Sequence, residues 1–159
     1  MKDKRLLVVV DESPATKKAL QYVAQMAVGR RNFKVCLAHS LLSPPLQLVE
    51  LRGGDKGRLR AYKSRWIAAD EMTEQRALQR ANAVLRQGGI ASGAVEAHVC
   101  YLVDGTRATQ AILDLARTRK CDTVVIGRKS LSWLSGLIHG DPAEELVRLG
   151  KGFTVWVVE

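Results

Sequence analysis

Short aliphatic runs alternate with segments of helical spacing along most of the chain. The run at Arg5–Val10 predicts a central strand buried on both faces. Ser13 and Pro14 then predict a helix start, and apolar residues recur at helical spacing as far as Gly29. Further strands are predicted at Phe33–His39, Val95–Tyr101, Thr123–Ile126 and Phe153–Val158.

More helical segments lie between the later strands. The longest is predicted from about Trp66 to Gln87, and Gly88 and Gly89 end it. Another begins near Thr106, and a short one is predicted at Pro142–Leu149. Strands that alternate with helices indicate right-handed crossovers between parallel strands. The expected fold is therefore α/β and Rossmann-like, an open doubly wound five-stranded parallel sheet with helices on both faces.

The length of 159 residues fits one domain, which we expect to span 1–159. A polar, basic connection containing Pro and Gly is predicted at about 43–65. In doubly wound folds, ligands bind beyond the carboxyl ends of strands where the strand order reverses. The turns after the first strand and the fourth strand would both lie there if those two strands are neighbours.

The composition is that of an ordinary globular protein, with 47% hydrophobic and 26% charged residues. No apolar run is long enough to span a bilayer, and the apolar run near the start is too short for a signal-peptide core. We therefore expect a cytoplasmic protein. Three widely spaced cysteines in apolar runs favour buried thiols over disulfides, and the three histidines lack ligand spacing, so no metal site is predicted.

The net charge of +9 is concentrated at Arg52–Arg65, where six cations face Asp55 alone. A solvated loop and helix face is the favoured interpretation. The alternative is an adaptor that binds a polyanionic, phosphate-rich partner. Only Tyr62 and Trp66 provide aromatic rings nearby, and no RNA-binding signature accompanies them, which makes nucleic acid an unlikely partner.

Four segments together resemble the universal stress protein (UspA-like) family. They are the strand and Asp-x-Ser turn of Val8–Leu20, Leu37–His39, the strand Asp122–Gly127, and the loop Leu134–Gly140. The resemblance covers nearly the whole chain in the right order. It implies an adenine-nucleotide alpha-hydrolase-like fold. It also implies a homodimer that forms through the last strand, Phe153–Val158.

Nucleotide-binding members of that family carry Gly-x2-Gly-x9-Gly-(Ser/Thr) after the fourth strand. This chain keeps Gly127 and Gly140 at that spacing but has Ser130 in place of the second glycine and Asp141 in place of the hydroxyl residue. Serine bears a steric cost at positive φ, although its hydroxyl could still donate to an anion.

Asp141 is the more consequential change. Followed by Pro142, it is expected to cap the next helix, so that its own carboxylate occupies a ready anion site. A carboxylate there also repels a triphosphate, and the cationic Arg128 and Lys129 can offset that repulsion only in part. The loop is therefore predicted to bind ATP weakly or not at all.

Asp11 has two predicted roles that can coexist. The resemblance places it at the adenine of a bound nucleotide, with the backbone of Val9, Ser40, Ile126 and Gly127 lining the base and ribose. The residues alone favour a cap of the first helix, formed by Asp11 together with Ser13.

No catalytic motif is evident, and we expect a regulatory homodimer rather than an enzyme. Any nucleotide is expected to be AMP or ADP in preference to ATP. The alternatives are a competent ATP- or AMP-binding protein, with Mg²⁺ if ATP binds and with slow hydrolysis, and the polyanion adaptor described above. Trp156 is predicted to pack either at the dimer interface or in the core under a helix.

Overall fold

Strands and helices alternate along the chain as the hydrophobic pattern predicts. The computed structural model describes residues 2–42, 56–102, 108–131 and 140–159, with side chains described at 2–39, 72–100, 108–131 and 140–159. The strands are β1 (Lys4–Val10), β2 (Phe33–Leu42), β3 (Val95–Leu102), β4 (Thr123–Gly127) and β5 (Thr154–Val158). The helices are α1 (Pro14–Ala27), α2 (Lys56–Gln87), α3 (Ala108–Thr118) and α4 (Pro142–Leu149), and a short 3-10 turn spans Ser92–Ala94.

All strand pairs are parallel, in the order β3-β2-β1-β4-β5. Leu6 is the register partner of Thr123 across the β1–β4 pair, and Val10 is that of His39 across β1–β2. The strand order reverses between β1 and β4, so the turns that follow these two strands are adjacent. The predicted fold class is confirmed, and the condition for a shared ligand site after the two strands is met.

Residues of β1 alternate between two cores. Leu7 and Val9 face a core that includes α3 and α4, whereas Leu6 and Val8 face a core that includes α1 and α2. All four are at most 1% exposed, as expected for a strand covered on both faces. No helix among the described residues is both long and apolar enough to cross a membrane.

The long helix begins earlier than predicted, at Lys56 rather than about Trp66. The segment 56–65 consists mostly of strong helix formers such as Lys, Arg, Leu and Ala, and its one glycine, Gly57, lies in the first turn. Their propensity outweighs the polar, loop-like composition on which the prediction rested. The last ten residues of the predicted basic connection are thus helical, while residues 43–55 and the side chains of 56–71 lie outside the described residues.

Trp156 packs on the α1 side of β5. Its ring meets that of Tyr22 edge to face, with centroids 5.7 Å apart and an interplanar angle of 82°. It joins the core formed with α1 and α2, whereas Val155 and Val157 pack against the other core. This placement supports the core-packing alternative for Trp156. The helix start predicted near Thr106 and most of the loop Leu134–Gly140 lie outside the described residues.

Gly88, just after α2, provides a test of the α1–α2 packing. A Cβ at Gly88 would lie 2.3 Å from the Cβ of Ala24, so Gly88→Ala must force the two helices apart. We expect a loss of about 1–3 kcal/mol in the free energy of unfolding, as measured by urea denaturation. Gly93→Ala is the control, since nothing lies within 4 Å of its Cβ position. Equal effects of the two changes would contradict this packing.

Candidate functional site

The carboxyl ends of β1 and β4 bring Asp11 and the loop beginning at Gly127 together. A cavity of about 470 Å³ opens beside Asp11, between α1 and α2. Its polar lining at the β1 end comes from Asp11, Glu12, Ser13 and Thr16, and α2 contributes Arg80, Val84 and Gln87. Arg80 lies 3.6 Å from Glu12 across this cavity. The volume is in the range of pockets that hold small molecules.

Asp11 joins the start of α1 to the loop after β4. Its Oδ1 accepts hydrogen bonds from the backbone N–H of Ser13 at 2.9 Å and from Thr16 Oγ1 at 2.6 Å, and also from Ser13 Oγ. Its Oδ2 accepts from the backbone N–H of Leu131 at 2.7 Å. Both carboxylate oxygens therefore have partners within the protein, one on each side of the site.

Ser13 is the N-cap of α1, as the sequence predicts. Its backbone is extended, with φ −72° and ψ 152°, and its Oγ accepts from the backbone N–H of Thr16 at 3.3 Å. Pro14 occupies the first helical position. The capping role predicted for Ser13 is confirmed, whereas Asp11 contacts the cap through Ser13 and Thr16 Oγ1 and is not itself the N-cap. The role of Asp11 at an adenine stays a prediction.

Ser130 is turned into the protein. It is 1% exposed, and its Oγ lies 3.1 Å from Thr16 Oγ1, while its backbone N–H donates to Gly127 O at 3.0 Å. The steric cost that serine bears at positive φ does not arise at Ser130, because the residue with positive φ in this turn is Leu131. Leu131 has a φ of 63°, and its backbone N–H donates to Asp11 Oδ2 at 2.7 Å. Ser130 thus stands where the family motif has a glycine, and its hydroxyl bonds to α1.

Gly127 is required by a close approach between β4 and α1. A Cβ at this position would lie 2.5 Å from Ala15 O and 2.8 Å from Ser130 Oγ. Gly140 has a different requirement, since its φ of 116° lies where side chains are strained. The backbone therefore requires both outer glycines of the motif, whether or not a ligand binds.

Asp141 caps α4, as predicted. Its backbone is extended, its Oδ1 accepts from the backbone N–H of Ala143 at 3.0 Å, and Pro142 follows at the first helical position. Its Oδ2 lies 3.4 Å from Arg128 Nη1. Arg128 also donates to Glu159 Oε1 from Nε at 3.1 Å and from Nη2 at 3.0 Å. The guanidinium after β4 is therefore shared between two carboxylates.

The other predicted site residues are distributed as follows. Val9 and Ile126 are fully buried on adjacent strands. Lys129 is exposed, and Ser40 lies on β2 with its side chain outside the described residues. The structure therefore brings Asp11, Gly127 and Ser130 together, while Asp141 joins a separate ion-paired group through Arg128. Whether these residues bind a ligand stays a prediction.

Sequence reasoning missed Thr16, His39 and Glu159. Thr16 bonds to both Asp11 and Ser130, and its position three residues after the capping serine is the signal that could have found it. His39 is 4% exposed, and its Nδ1 has no hydrogen-bond partner among the described residues. Burial lowers the pKa of His39, and the nearby carboxylates of Asp11 and Glu12 oppose that shift.

The arrangement is that of a doubly wound α/β protein whose candidate site lies at the switch in strand order. The chain matches the model of the Universal stress protein family over residues 3–158. It belongs to that family, as the sequence resemblance predicts. A search of curated proteins found no match.

Solved structures show the same fold at low sequence identity. The universal stress protein UspA from Lactobacillus plantarum has a TM-score of 0.69 at 15% identity, covering 100% of this chain and 99% of that one. A universal stress protein in complex with cAMP gives 0.67 at 19% identity, with 100% and 99% covered. The Archaeoglobus fulgidus protein in complex with dAMP gives 0.61 at 20% identity, with both chains fully covered.

The Asp11 hydrogen bonds predict a large contribution to stability. Asp11→Ala removes the acceptor for the Leu131 N–H, for Thr16 and for Ser13, so we expect a loss of about 2–3 kcal/mol in the free energy of unfolding. Chemical denaturation measures it. Asp114→Ala is the control, because that carboxylate is 62% exposed on α3 and its loss is expected to cost less than about 1 kcal/mol. Similar losses in both variants would contradict the role assigned to Asp11.

Proposed function

We propose that this protein is a non-catalytic regulatory member of its family, with a nucleotide site that accepts adenosine monophosphates in preference to ATP. The observation that carries the proposal is the position of the Asp141 carboxylate. It stands at the far end of the loop that corresponds to the family's phosphate loop and caps α4 there. A bound phosphate would have to share that helix terminus with a fixed negative charge.

One of the two cations at the start of the loop is also engaged. Arg128 is paired with Asp141 at 3.4 Å and with Glu159 at 3.0 Å. A phosphate that recruited Arg128 would have to draw it from both carboxylates. Repulsion from these carboxylates grows with each further charge on the ligand, so a triphosphate is opposed more strongly than a monophosphate.

Two relatives support the choice of a monophosphate. The related structures described above include one in complex with cAMP and one in complex with dAMP, both adenine mononucleotides. The cavity beside Asp11 has a volume of about 470 Å³, which is sufficient for a ligand of this size.

The local hydrogen bonds support a binding role over a catalytic one. Asp11 is one of two acids that line the cavity, and its carboxylate already accepts from Ser13, Thr16 and Leu131. Ser130 is buried against Thr16. Acting as a base would require Asp11 to give up the bonds that hold the site together. The Arg52–Arg65 adaptor stays a prediction, since its side chains are outside the described residues.

We further propose a homodimer that forms through β5. This strand lies at one edge of the sheet, and its apolar side chains are half-buried. Thr154 N–H donates to Asp122 O at 3.0 Å, and Val158 O accepts from the Arg128 N–H at 2.8 Å, so the even-numbered residues bond to β4. Val155 and Val157 consequently direct their backbone groups toward the free edge, where a second copy of the strand can pair.

Isothermal titration of the full chain with AMP, cAMP, ADP and Mg²⁺–ATP tests the nucleotide preference. We expect the monophosphates to bind more tightly than ATP. Asp141→Ser keeps a good N-cap while it removes the charge, so ATP binding should tighten about tenfold. Asp114→Ser changes the net charge equally on the exposed face of α3 and should leave the ATP affinity unchanged.

Two outcomes would overturn this account. One is wild-type protein that binds ATP as tightly as it binds AMP. The other is a gain in ATP affinity in Asp114→Ser that matches the gain in Asp141→Ser. If the wild-type protein releases phosphate from ATP and Asp11→Asn abolishes this release, only the non-catalytic part of the proposal is contradicted.

Val157→Pro tests the dimer. Proline removes an N–H that faces the free edge and leaves the bonds to β4 intact, a position at which edge strands accept proline. We expect a dimer in the wild type and a folded monomer in the variant, as measured by analytical ultracentrifugation with circular dichroism. The control is Val147→Ala, which trims an exposed side chain on α4 and should leave the dimer intact. A wild-type monomer, or a folded Val157→Pro dimer, would contradict pairing through β5.

A further inference from the structure

A second polar cluster lies nearer the amino ends of the strands, away from the nucleotide site. Cys36 of β2 and Glu96 of β3 are register partners, and His98 follows Glu96 by two residues. Since side chains alternate along a strand, Glu96 and His98 lie on one face of β3. That face is the one on which Cys36 packs, toward the core that includes α3.

The three side chains converge on a small volume. Cys36 Sγ, a carboxylate oxygen of Glu96 and a ring nitrogen of His98 all lie within 4.8 Å of one another. Glu96 Oε2 is 3.8 Å from Cys36 Sγ and 3.4 Å from His98 Nε2. Tetrahedral zinc, with the usual bond lengths, separates a sulfur from an oxygen by about 3.6 Å and a nitrogen from an oxygen by about 3.4 Å. The observed separations are close to both values.

The cluster has unsatisfied polar atoms. The side chain of His98 is only 13% exposed, and its Nε2 is buried. This nitrogen makes no well-directed hydrogen bond among the described residues. A buried polar atom without a partner is costly, and a metal ion would give this nitrogen one. Cys36, which provides the sulfur of the cluster, is fully buried.

The guanidinium of Arg5 lies in this cluster where a metal cation would bind. Its Nη2 lies 3.1 Å from Glu96 Oε2 and 3.8 Å from Cys36 Sγ. The fit is incomplete, because Arg5 Nε is buried without a hydrogen-bond partner among the described residues. The side chain of Arg5 is 25% exposed, so its guanidinium can move outward. Arg5 is thus positioned to compete with a metal ion for the same two ligands.

We propose that Cys36, Glu96 and His98 form a binding site for a zinc-class divalent cation, with water as the fourth ligand. The mixed sulfur, nitrogen and oxygen donor set favours zinc, cobalt or cadmium over magnesium or calcium, which prefer oxygen alone. On binding, the metal replaces Arg5 at Glu96, and the Cys36 thiol releases its proton to solvent as the sulfur–metal bond forms.

Cobalt titration of the EDTA-treated full chain tests the site, because a cobalt–thiolate bond gives a characteristic charge-transfer absorption. We expect that absorption to saturate with a single metal ion per chain and to disappear when zinc is added. Cys36→Ser should abolish it. His98→Gln should weaken cobalt binding by at least about tenfold, as expected for the loss of a ligand. Arg5→Gln should strengthen cobalt binding, since it removes the competing cation.

Cys100→Ser is the matched control. Cys100 is a buried thiol on the same strand as His98 and faces the same core, yet it lies outside the cluster. Its loss should leave both the absorption and the affinity unchanged. Wild-type protein without the charge-transfer absorption would overturn the proposal, as would a Cys100→Ser variant that loses it. If Cys36→Ser fails to fold, unchanged cobalt affinity in folded His98→Gln overturns it equally.

Discussion

The carboxylate of Asp11 is the contact on which the candidate site depends. It bonds on one side to the capped start of α1 and on the other to the backbone of the loop after β4. This double attachment is geometrically possible only because β1 and β4 are neighbours and because Gly127 lets α1 approach the end of β4. The strand order, the glycine and the aspartate are therefore parts of one constraint.

Much of the fold could be predicted from local patterns. The buried strands β1 and β4 are aliphatic runs, and the starts of α1 and α4 are each marked by a capping residue followed by proline. The start of α2 could not be placed, because a basic segment rich in helix formers resembles a solvated loop in composition. The order of the strands depends on contacts between distant segments, so the pattern alone left the β1–β4 adjacency conditional.

The candidate site was only partly predictable for a related reason. The motif spacing located Ser130 and Asp141. Because proline follows Asp141, the sequence also predicted correctly that Asp141 caps α4. The direction of the Ser130 hydroxyl depends on which helix packs beside it, and Thr16 of α1 is distant in the sequence. The positive φ falls on Leu131, whose N–H donates to the distant Asp11, and no local propensity predicts either feature.

The two polar clusters of the sheet differ in how fully their polar atoms are hydrogen-bonded within the protein. At the carboxyl ends, the acids Asp11 and Asp141 both have partners within the protein, so a ligand there competes with existing bonds. In the cluster near the amino ends, His98 Nε2 is buried without a hydrogen bond, so a ligand there adds one. Ligand spacing along the chain could not reveal this cluster, because Cys36 and Glu96 meet only through strand pairing. The Glu-x-His spacing on β3 is the one local sign of this cluster. It can be interpreted only when the residues of β2 that lie beside it are known.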